Sequence, residues 1–227
     1  MQPLALSGTK LHDLYQGLLD RYGGQHWWPA DSAFEVMVGA ILTQNTAWTN
    51  VEKAIQGLKQ AALLHPQALA AADSGLVAAS IRPAGYFNIK TQRLQSFCRY
   101  LLESGGEAVL AQQDTPSLRH ALLAVHGVGP ETADDILLYA FQRPVFVVDA
   151  YTRRLFQRLG FCAADAPYEA LRLGVEQAMQ AGHSLYNEFH ALIVRHAKEH
   201  CRKRPACGGC PLCSICRFPL EQAQATT

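Results

Sequence analysis

The sequence predicts an all-α protein, and two observations support that fold class. In several segments apolar residues recur at intervals of three and four, the spacing that puts them on one face of a helix. No segment shows sustained alternation of apolar and polar residues, and the apolar run Val145–Val148 is too short to require a sheet. Apolar residues make up 49% of the 227 positions, which is enough for a substantial core.

Glycines, prolines and short polar runs divide the chain into separate helices. Gly23-Gly24 and Gly105-Gly106 are strong helix terminators, and the polar run Thr43–Thr46 interrupts an apolar stretch. Pro83-Ala84-Gly85 breaks the chain again, and Ser117 is a good N-cap. The expected helices are Leu11–Tyr22, Ala33–Leu42 (capped by Asp31 or Ser32), Trp48–Gln60, Ala61–Ser80, Asn88–Leu102, Leu118–Val125, Glu131–Phe141, one that starts after Asp149, Pro167–Met179 and Leu185–Lys198.

Charge and hydropathy limit the classes of protein that fit. No apolar run reaches the roughly 18 residues of a transmembrane helix, and the N-terminus lacks a basic-then-apolar signal pattern. The formal net charge is only +1, so a nucleic-acid binder is not indicated by composition. Basic residues instead crowd the C-terminal segment, namely Arg195, Lys198, Arg202, Lys203, Arg204 and Arg217. We expect an intracellular, cytoplasmic protein whose basic patch either contacts phosphates or is simply a solvated face.

A glycine-bracketed turn and a single carboxylate organise the segment Leu122–Arg154. Gly127 and Gly129 can adopt positive φ and let another backbone approach, and Pro130 suits the first position of a helix. Free N–H groups at such a helix start can bind a phosphate, although an ordinary helical corner would have the same sequence. Asp149 follows an apolar run and precedes a helix, so it can cap that helix, face a reacting group, or do both.

The spacing Cys201-x5-Cys207-x2-Cys210-x5-Cys216 is the most specific pattern in the chain. The seven cysteines are clustered rather than spread, which does not fit a secreted disulfide framework. Four thiolates on a short loop can hold a structural zinc ion, but zinc sites usually pair two Cys-x-x-Cys knuckles across a longer loop. A single short loop whose four cysteines surround one metal centre suits a [4Fe–4S] cluster. We therefore expect a cluster, with zinc as the alternative and Cys213 as a spare thiol.

These motifs resemble the endonuclease III superfamily of DNA base-excision glycosylases. That family carries a helix-hairpin-helix, a Gly/Pro-rich loop and an aspartate, which match Gly127–Asp134 followed by Val147-Val148-Asp149. The resemblance extends over Phe34–Asn50, Gly85–Lys90 and the C-terminal cysteines, although the family's first cysteine gap is typically one residue longer. It therefore covers most of the chain.

The resemblance implies a two-lobed helical fold. Residues 31–142 would form a six-helix lobe ending in the hairpin. Residues 1–30 and 143–227 would form the second lobe, with the iron–sulfur cluster loop at 201–216 and the DNA-binding cleft between the lobes. The last residues, Gln222–Thr227, are expected to fray.

The resemblance also implies the chemistry. Asp149 matches the catalytic aspartate, which stabilises positive charge on the sugar as the N-glycosidic bond breaks. Bifunctional members have a lysine where this chain has Glu131, and a glutamate cannot form an imine. The expected enzyme is therefore a monofunctional glycosylase that leaves an abasic site. Gln44 matches the glutamine wedge that fills the space of the flipped base, although it could also be a helix-end cap.

Substrate choice follows from aromatic residues. Trp27, Trp28 and Trp48 look like the base-stacking residues of the endonuclease-III-like 3-methyladenine glycosylases, and Tyr151 is also closer to that subgroup. A methylated purine is cationic, so aromatic faces favour it over a neutral base by about 0.5 to 2 kcal/mol. The alternative for all three tryptophans is a place in the core.

The expected partner is double-stranded DNA, bound by a monomer associated with the nucleoid. Phosphate contacts are expected from the hairpin and from the basic residues beside the cysteines: Gly127, Val128, Gly129, Glu131, Thr132, Arg202, Lys203 and Arg204. The histidines at 126, 190, 196 and 200 are expected to be surface or core residues. A glycosylase for damaged or mismatched pyrimidines, with or without lyase activity, and a non-catalytic DNA-binding relative are the alternative functions.

Overall fold

The computed structural model describes residues 4–218, in which all regular secondary structure is helical and no β-strand occurs. The predicted all-α fold is confirmed. The α-helices are α1 (Gly8–Tyr22), α2 (Ala33–Leu42), α3 (Trp48–Gln60), α4 (Pro66–Ala71), α5 (Ser74–Ser80), α6 (Phe87–Glu103), α7 (Glu107–Leu110), α8 (Thr115–Leu123), α9 (Pro130–Asp135), α10 (Ala150–Leu159), α11 (Tyr168–Met179) and α12 (His183–Glu199). A 3₁₀ turn at Arg82–Ala84 precedes α6, and a π-helix at Ile136–Ala140 continues α9. The predicted tail Gln222–Thr227 lies outside the described residues.

The chain divides into two compact units. The continuous unit is Trp28–Arg143 and contains α2 to α9. The discontinuous unit combines the described parts of Met1–Trp27 and Pro144–Thr227, and contains α1, α10, α11 and α12. No helix of residues 4–218 combines the length and the hydropathy that crossing a membrane requires.

Helix α2 is the centre of the continuous unit. Every residue from Phe34 to Leu42 is buried, as expected for a helix that is apolar on all faces except at Glu35 and is enclosed by neighbours. Its neighbours are α3, α6, α9 and the π-helix. Ser32 caps it, because the Ser32 hydroxyl accepts a hydrogen bond from the Glu35 N–H at 3.1 Å. The polar residues that follow α2 are thereby held at the end of a fixed, buried helix.

Several predicted helices differ from the observed ones in their bounds, and two of these differences have a clear local cause. The stretch Ala61–Ser80 is not one helix but α4 and α5, because Pro66 opens the first and Asp73 caps the second. Helix α8 begins earlier than predicted, since Asp114 rather than Ser117 is its N-cap and accepts from the Ser117 N–H at 2.8 Å. In both places the prediction followed the alanine-rich or apolar pattern and overlooked an aspartate that caps a helix.

The hairpin consists of α8, the turn His126–Pro130 and α9. Arg119 on α8 donates two hydrogen bonds, 2.6 and 3.0 Å long, to the fully buried carboxylate of Asp134 on α9. Gly127 has φ 87°, and a Cβ there would collide with the Arg93 side chain, so only glycine fits the turn. The helix predicted at Glu131–Phe141 starts at Pro130 and changes to the π-helix at Ile136.

Aromatic residues form the core of the discontinuous unit. The fully buried Phe146 ring packs against the rings of Phe156, Tyr186 and Phe189 at centroid distances of 5.6 to 6.4 Å. Its backbone N–H donates to the Glu176 carboxylate at 2.9 Å. Since all of Val145–Val148 is buried, this anchor fixes the chain immediately before Asp149.

We predict that Arg119→Met destabilises the protein by about 3 to 5 kcal/mol, because it leaves the Asp134 carboxylate buried without its guanidinium. Urea denaturation followed by circular dichroism measures the change. The double variant Arg119→Met/Asp134→Leu removes both charges and should recover much of the loss. An unchanged free energy of unfolding in Arg119→Met would contradict the role of this pair.

Candidate active site and nucleic-acid interface

Asp149 is the N-cap of α10. Its Oδ1 accepts a hydrogen bond from the Thr152 N–H at 2.7 Å, so one of the two alternatives drawn from the sequence, the cap, is realised. Its Oδ2 lies 3.6 Å from Nε2 of His190 on α12. That distance suits an ion pair with a protonated ring and is too long for a hydrogen bond. The Asp149 side chain is 13% exposed, so a largely buried carboxylate keeps a small opening to solvent.

Three effects set the pKa of Asp149. Burial by itself raises the pKa, because a carboxylate is poorly solvated away from water. The His190 ring and the Thr152 N–H both favour the ionised form, and together they hold the pKa below its usual value. Asp149 is therefore a carboxylate at neutral pH. The sequence expectation for His190, a surface or core residue, missed this neighbour, because nothing local links α12 to Asp149.

The hairpin turn presents backbone groups at the start of α9. Gly129 is the N-cap of α9, no side chain caps that helix end, and a Cβ at Gly129 would meet nothing. Val128 is buried and Glu131 is exposed. The buried Thr132 hydroxyl points towards Gln44, so only its backbone N–H is available to a ligand at this turn.

Gln44 is bound to the hairpin by its side-chain amide. Its Nε2 donates to the Gly127 carbonyl at 3.0 Å and to the Thr132 hydroxyl at 2.9 Å. Its Oε1 accepts a hydrogen bond from the Arg93 guanidinium on α6. The predicted wedge residue is thus half-buried and ties the end of α2 to the hairpin turn. Acting as a wedge would require the amide to exchange these partners.

Trp28 and Trp48 belong to one aromatic cluster. Their ring centroids are 5.0 Å apart at right angles, and Tyr139 of the π-helix lies 5.0 Å from Trp28 on another side. Gly39 on α2 leaves space for the Trp28 ring, since a Cβ there would lie 3.1 Å from it. The sequence did not single out Tyr139; a π-helix is frequent at functional sites, but its presence is not visible in a single sequence.

Trp27 belongs to the discontinuous unit. The ammonium of Lys198 on α12 lies 5.7 Å from the centroid of its ring, within the range of a cation–π interaction. The three predicted base-stacking residues therefore belong to different units: Trp28 and Trp48 lie in the continuous unit, and Trp27 lies in the discontinuous unit.

The cysteine loop follows α12. Cys201 is buried, Cys207, Cys210 and Cys216 are half-buried, and Cys213 is exposed. Neighbouring thiols contribute, after burial, to raising the pKa of Cys210 and of Cys216, so the sulfurs lie within electrostatic reach of one another.

No group of three or more His, Cys, Asp or Glu side chains in residues 4–218 is placed to hold a metal ion. A cluster is larger than one ion, and its ligands surround a wider volume. The donor set, four thiols on one loop with the fifth turned to solvent, fits a [4Fe–4S] cluster by its chemistry.

Arg158 of α10 organises the basic part of this loop. Its guanidinium donates to the Cys201 thiol at 3.1 Å and to the backbone carbonyls of Arg202 and Lys203 at 2.8 and 3.2 Å. The side chains of Arg202, Lys203 and Arg204 are exposed, and the Arg202 guanidinium also donates to the Glu199 carbonyl. Three adjacent cations on a fixed backbone form a surface suited to phosphates.

The helical fold of the described residues, the glycine hairpin, the buried carboxylate that caps a helix and the basic cysteine loop agree with the class that the sequence resembles, the helix-hairpin-helix proteins of DNA repair. The model of the HhH-GPD superfamily of base excision DNA repair proteins matches residues 38–180. The chain belongs to this family of DNA glycosylases.

Individual relatives agree with this assignment. A Methanocaldococcus jannaschii protein named as a DNA repair glycosylase is 46% identical over 209 residues, which cover 91% of this chain and 95% of the relative. The crystal structure of the H. pylori 3-methyladenine DNA glycosylase bound to 1,N6-ethenoadenine has a TM-score of 0.75 and 29% identity, covering 86% of this chain and 98% of that one. A non-covalent endonuclease III–DNA complex has a TM-score of 0.82 at 22% identity, covering 96% of this chain and 99% of that one, and shows the shared fold.

We predict that His190→Phe raises the pKa of Asp149. The variant keeps the burial that disfavours the ionised Asp149 carboxylate, and it loses the imidazole that favours this ionised form. Because the folded-state pKa is depressed, ionised Asp149 stabilises the fold at and above the ordinary pKa of a carboxyl group, and this contribution is lost as the pH falls through the folded-state value. A ¹³C NMR titration of the carboxyl carbons measures the shift, with the exposed His12→Gln on α1 as control. An unchanged Asp149 titration would show that His190 is only a packing neighbour.

Proposed function

We propose that this protein is a monofunctional DNA glycosylase that releases alkylated purines of the 3-methyladenine type from double-stranded DNA. The observation that carries the proposal is the Asp149 carboxylate, which is buried yet held ionised in a chain of the glycosylase family. As the N-glycosidic bond breaks, positive charge develops on the sugar. A preorganised carboxylate stabilises that charge without reorganising, and it can orient the attacking water.

The aromatic cluster supports the choice of substrate. Trp28, Trp48 and Tyr139 offer several ring faces within one small region, and a cationic alkylated purine gains a cation–π interaction that a neutral base lacks. Such a base is also a good leaving group, so stacking can select it with little acid catalysis. The likeness to the H. pylori 3-methyladenine glycosylase points to the same substrate class. Trp27 is proposed as a further stacking residue.

DNA contacts are proposed at two places. The backbone of Gly127, Val128, Gly129, Glu131 and Thr132 would bind phosphate at the hairpin. Arg202, Lys203 and Arg204 would contact phosphates elsewhere on the duplex. The target base must leave the helix before it can be cut, which costs a few kcal/mol. Gln44 is proposed to take its place in the stack after leaving the hairpin.

The proposed enzyme acts as a monomer on chromosomal DNA inside the cell. Its two lobes would be residues 31–142 and residues 1–30 with 143–227, as the family resemblance implies.

The absence of lyase chemistry is proposed from two residues. Glu131 stands where bifunctional relatives carry a lysine, and a carboxylate cannot attack C1′ to form an imine. Lys90, the nearest lysine before the hairpin, is 1% exposed and its ammonium is hydrogen-bonded to three oxygens. A buried, protonated amine is a poor nucleophile.

Cys201, Cys207, Cys210 and Cys216 are proposed to hold a [4Fe–4S] cluster. When bound, the cluster would serve as a structural crosslink of the loop. The protein's own contribution is Arg158, which fixes the backbone of the basic residues beside the first cysteine. Zinc on the same thiols is the alternative.

Metal analysis tests the cluster. We expect about four iron atoms and four acid-labile sulfides per chain, lost in Cys207→Ser and retained in Cys213→Ser, since Cys213 is the exposed thiol. Stoichiometric zinc without iron in anaerobically purified protein would favour the alternative.

The decisive experiment for the activity is a single-turnover assay on methylated duplex DNA. We expect release of 3-methyladenine, with strand breaks only after hot alkali. Asp149→Asn should slow release at least about 100-fold, because it removes the charge that stabilises the transition state. Binding to a duplex with an abasic-site analogue should be retained, which separates loss of chemistry from loss of folding.

The same assay distinguishes the alternatives. Release of a damaged or mismatched pyrimidine, but no alkylated purine, would reassign the substrate. Strand breaks without alkali, with a borohydride-trapped adduct, would overturn the monofunctional assignment, and survival of that adduct in Lys90→Met would exclude Lys90 as the nucleophile. Tight DNA binding with no release of any base would leave a non-catalytic relative.

A further inference from the structure

Lys90 is an unusual residue for the interior of the continuous unit. It lies on the first turn of α6 and is 1% exposed. Its ammonium donates to the Leu42 carbonyl at 2.8 Å, the Ala84 carbonyl at 2.9 Å and the Thr46 hydroxyl at 2.6 Å. An ammonium has three N–H donors and no acceptor, so the three oxygens satisfy it completely.

The partners of Lys90 explain why a cation is buried there. Leu42 is the last residue of α2 and Ala84 is the last residue of the 3₁₀ turn. Carbonyls at helix ends lack partners within the helix and carry partial negative charge. Burial, together with the nearby Arg93 guanidinium, lowers the pKa of Lys90 to about 8, so the amine remains mainly protonated at neutral pH.

The three oxygens come from two loops that do not contact each other through backbone hydrogen bonds among the described residues. One is the loop after α2, which carries Gln44. The other is the loop that leads into α6 and carries Tyr86. Thr46 adds a direct link, since its hydroxyl also donates to the Ala84 carbonyl at 2.6 Å.

The loop that leads into α6 has a backbone conformation that needs support. Asn45 has φ 54° and Tyr86 has φ 45°, and the left-handed region is tolerated by asparagine but is rare for a bulky residue such as tyrosine. Such conformations persist when the surroundings over-determine them. Tyr86 is 70% exposed, so its own side chain contributes little packing. The Lys90 ammonium is hydrogen-bonded to oxygens on both sides, so it is one interaction that joins the two loops.

We propose that Lys90 is a positioning residue, whose buried ammonium locks the Gln44 loop and the Tyr86 loop into one rigid platform for the step that extrudes the base. The inference rests on the proposed function, because it assigns Gln44 to that step. Lys90 itself touches neither DNA nor the reacting atoms. Its loss therefore affects the rate of base release at saturating enzyme rather than the affinity for intact duplex, which depends on phosphate contacts at other residues.

The test compares Lys90→Met with Lys59→Met in the full-length protein. Lys59 is a matched control, since it is also a helical lysine of the continuous unit with two oxygen partners, Asp31 and Glu35, but lies on α3. We expect Lys90→Met to lower the single-turnover rate at least ten-fold with less than a three-fold change in the Kd for undamaged duplex. Lys59→Met should change neither.

Amide hydrogen exchange gives a readout that does not depend on activity. In Lys90→Met, residues 43–47 and 82–87 should exchange faster, while α11 and α12 keep their wild-type protection. If the wild type released no base, the proposed function would fail. Faster amide exchange confined to these two loops in Lys90→Met would still support the proposed role of Lys90 in holding them together.

A second variant covers the case in which Lys90→Met does not fold. Thr46→Val removes the oxygen that both accepts from Lys90 and donates to Ala84, and leaves the ammonium with its two carbonyls. Faster exchange in both loops and a slower single turnover would support the proposal. Wild-type exchange in both loops of a folded Lys90→Met or Thr46→Val variant would overturn it.

Discussion

The ends of buried helices impose the constraint on which the functional parts of this protein depend. A helix that ends inside a protein leaves N–H or C=O groups without partners, and each must be satisfied. The Leu42 carbonyl accepts a hydrogen bond from the Lys90 ammonium, and the Thr152 N–H at the start of α10 donates to the Asp149 carboxylate. In both cases a charged side chain, which would be costly to bury alone, is stabilised by the groups that it satisfies.

Asp149 shows how a structural role and the proposed chemical role can coincide. A capping carboxylate accepts a backbone N–H, which favours its ionised form. The same preference opposes the effect of burial, so the group remains charged in a poorly solvated place. A charge that is already solvated by fixed partners need not be rearranged when the substrate arrives, which is the property that electrostatic catalysis requires.

The Gln44 amide connects three segments of the continuous unit. It bridges the end of α2, the hairpin turn and, through Arg93, helix α6. These contacts give the loop a defined resting conformation. They also mean that any movement of Gln44 towards DNA must break them, so DNA contacts have to supply comparable hydrogen bonds. In the mechanism proposed above, the Lys90 ammonium keeps the rest of the loop fixed while that exchange occurs.

The sequence by itself determined the all-α class, a cap at Asp31 or Ser32, the glycine turn, the position of Asp149 and the cysteine spacing, because helical periodicity, capping and turn formation are local properties. It missed the break inside Ala61–Ser80 and put the start of α8 too late, because it overlooked the proline that opens α4 and the aspartates that cap α5 and α8. Only the tertiary structure brought His190 to Asp149, Tyr139 to Trp28, and Lys90 to Leu42 and Thr46. Periodicity shows which face of a helix is buried, but the partner on that face depends on how the helices pack.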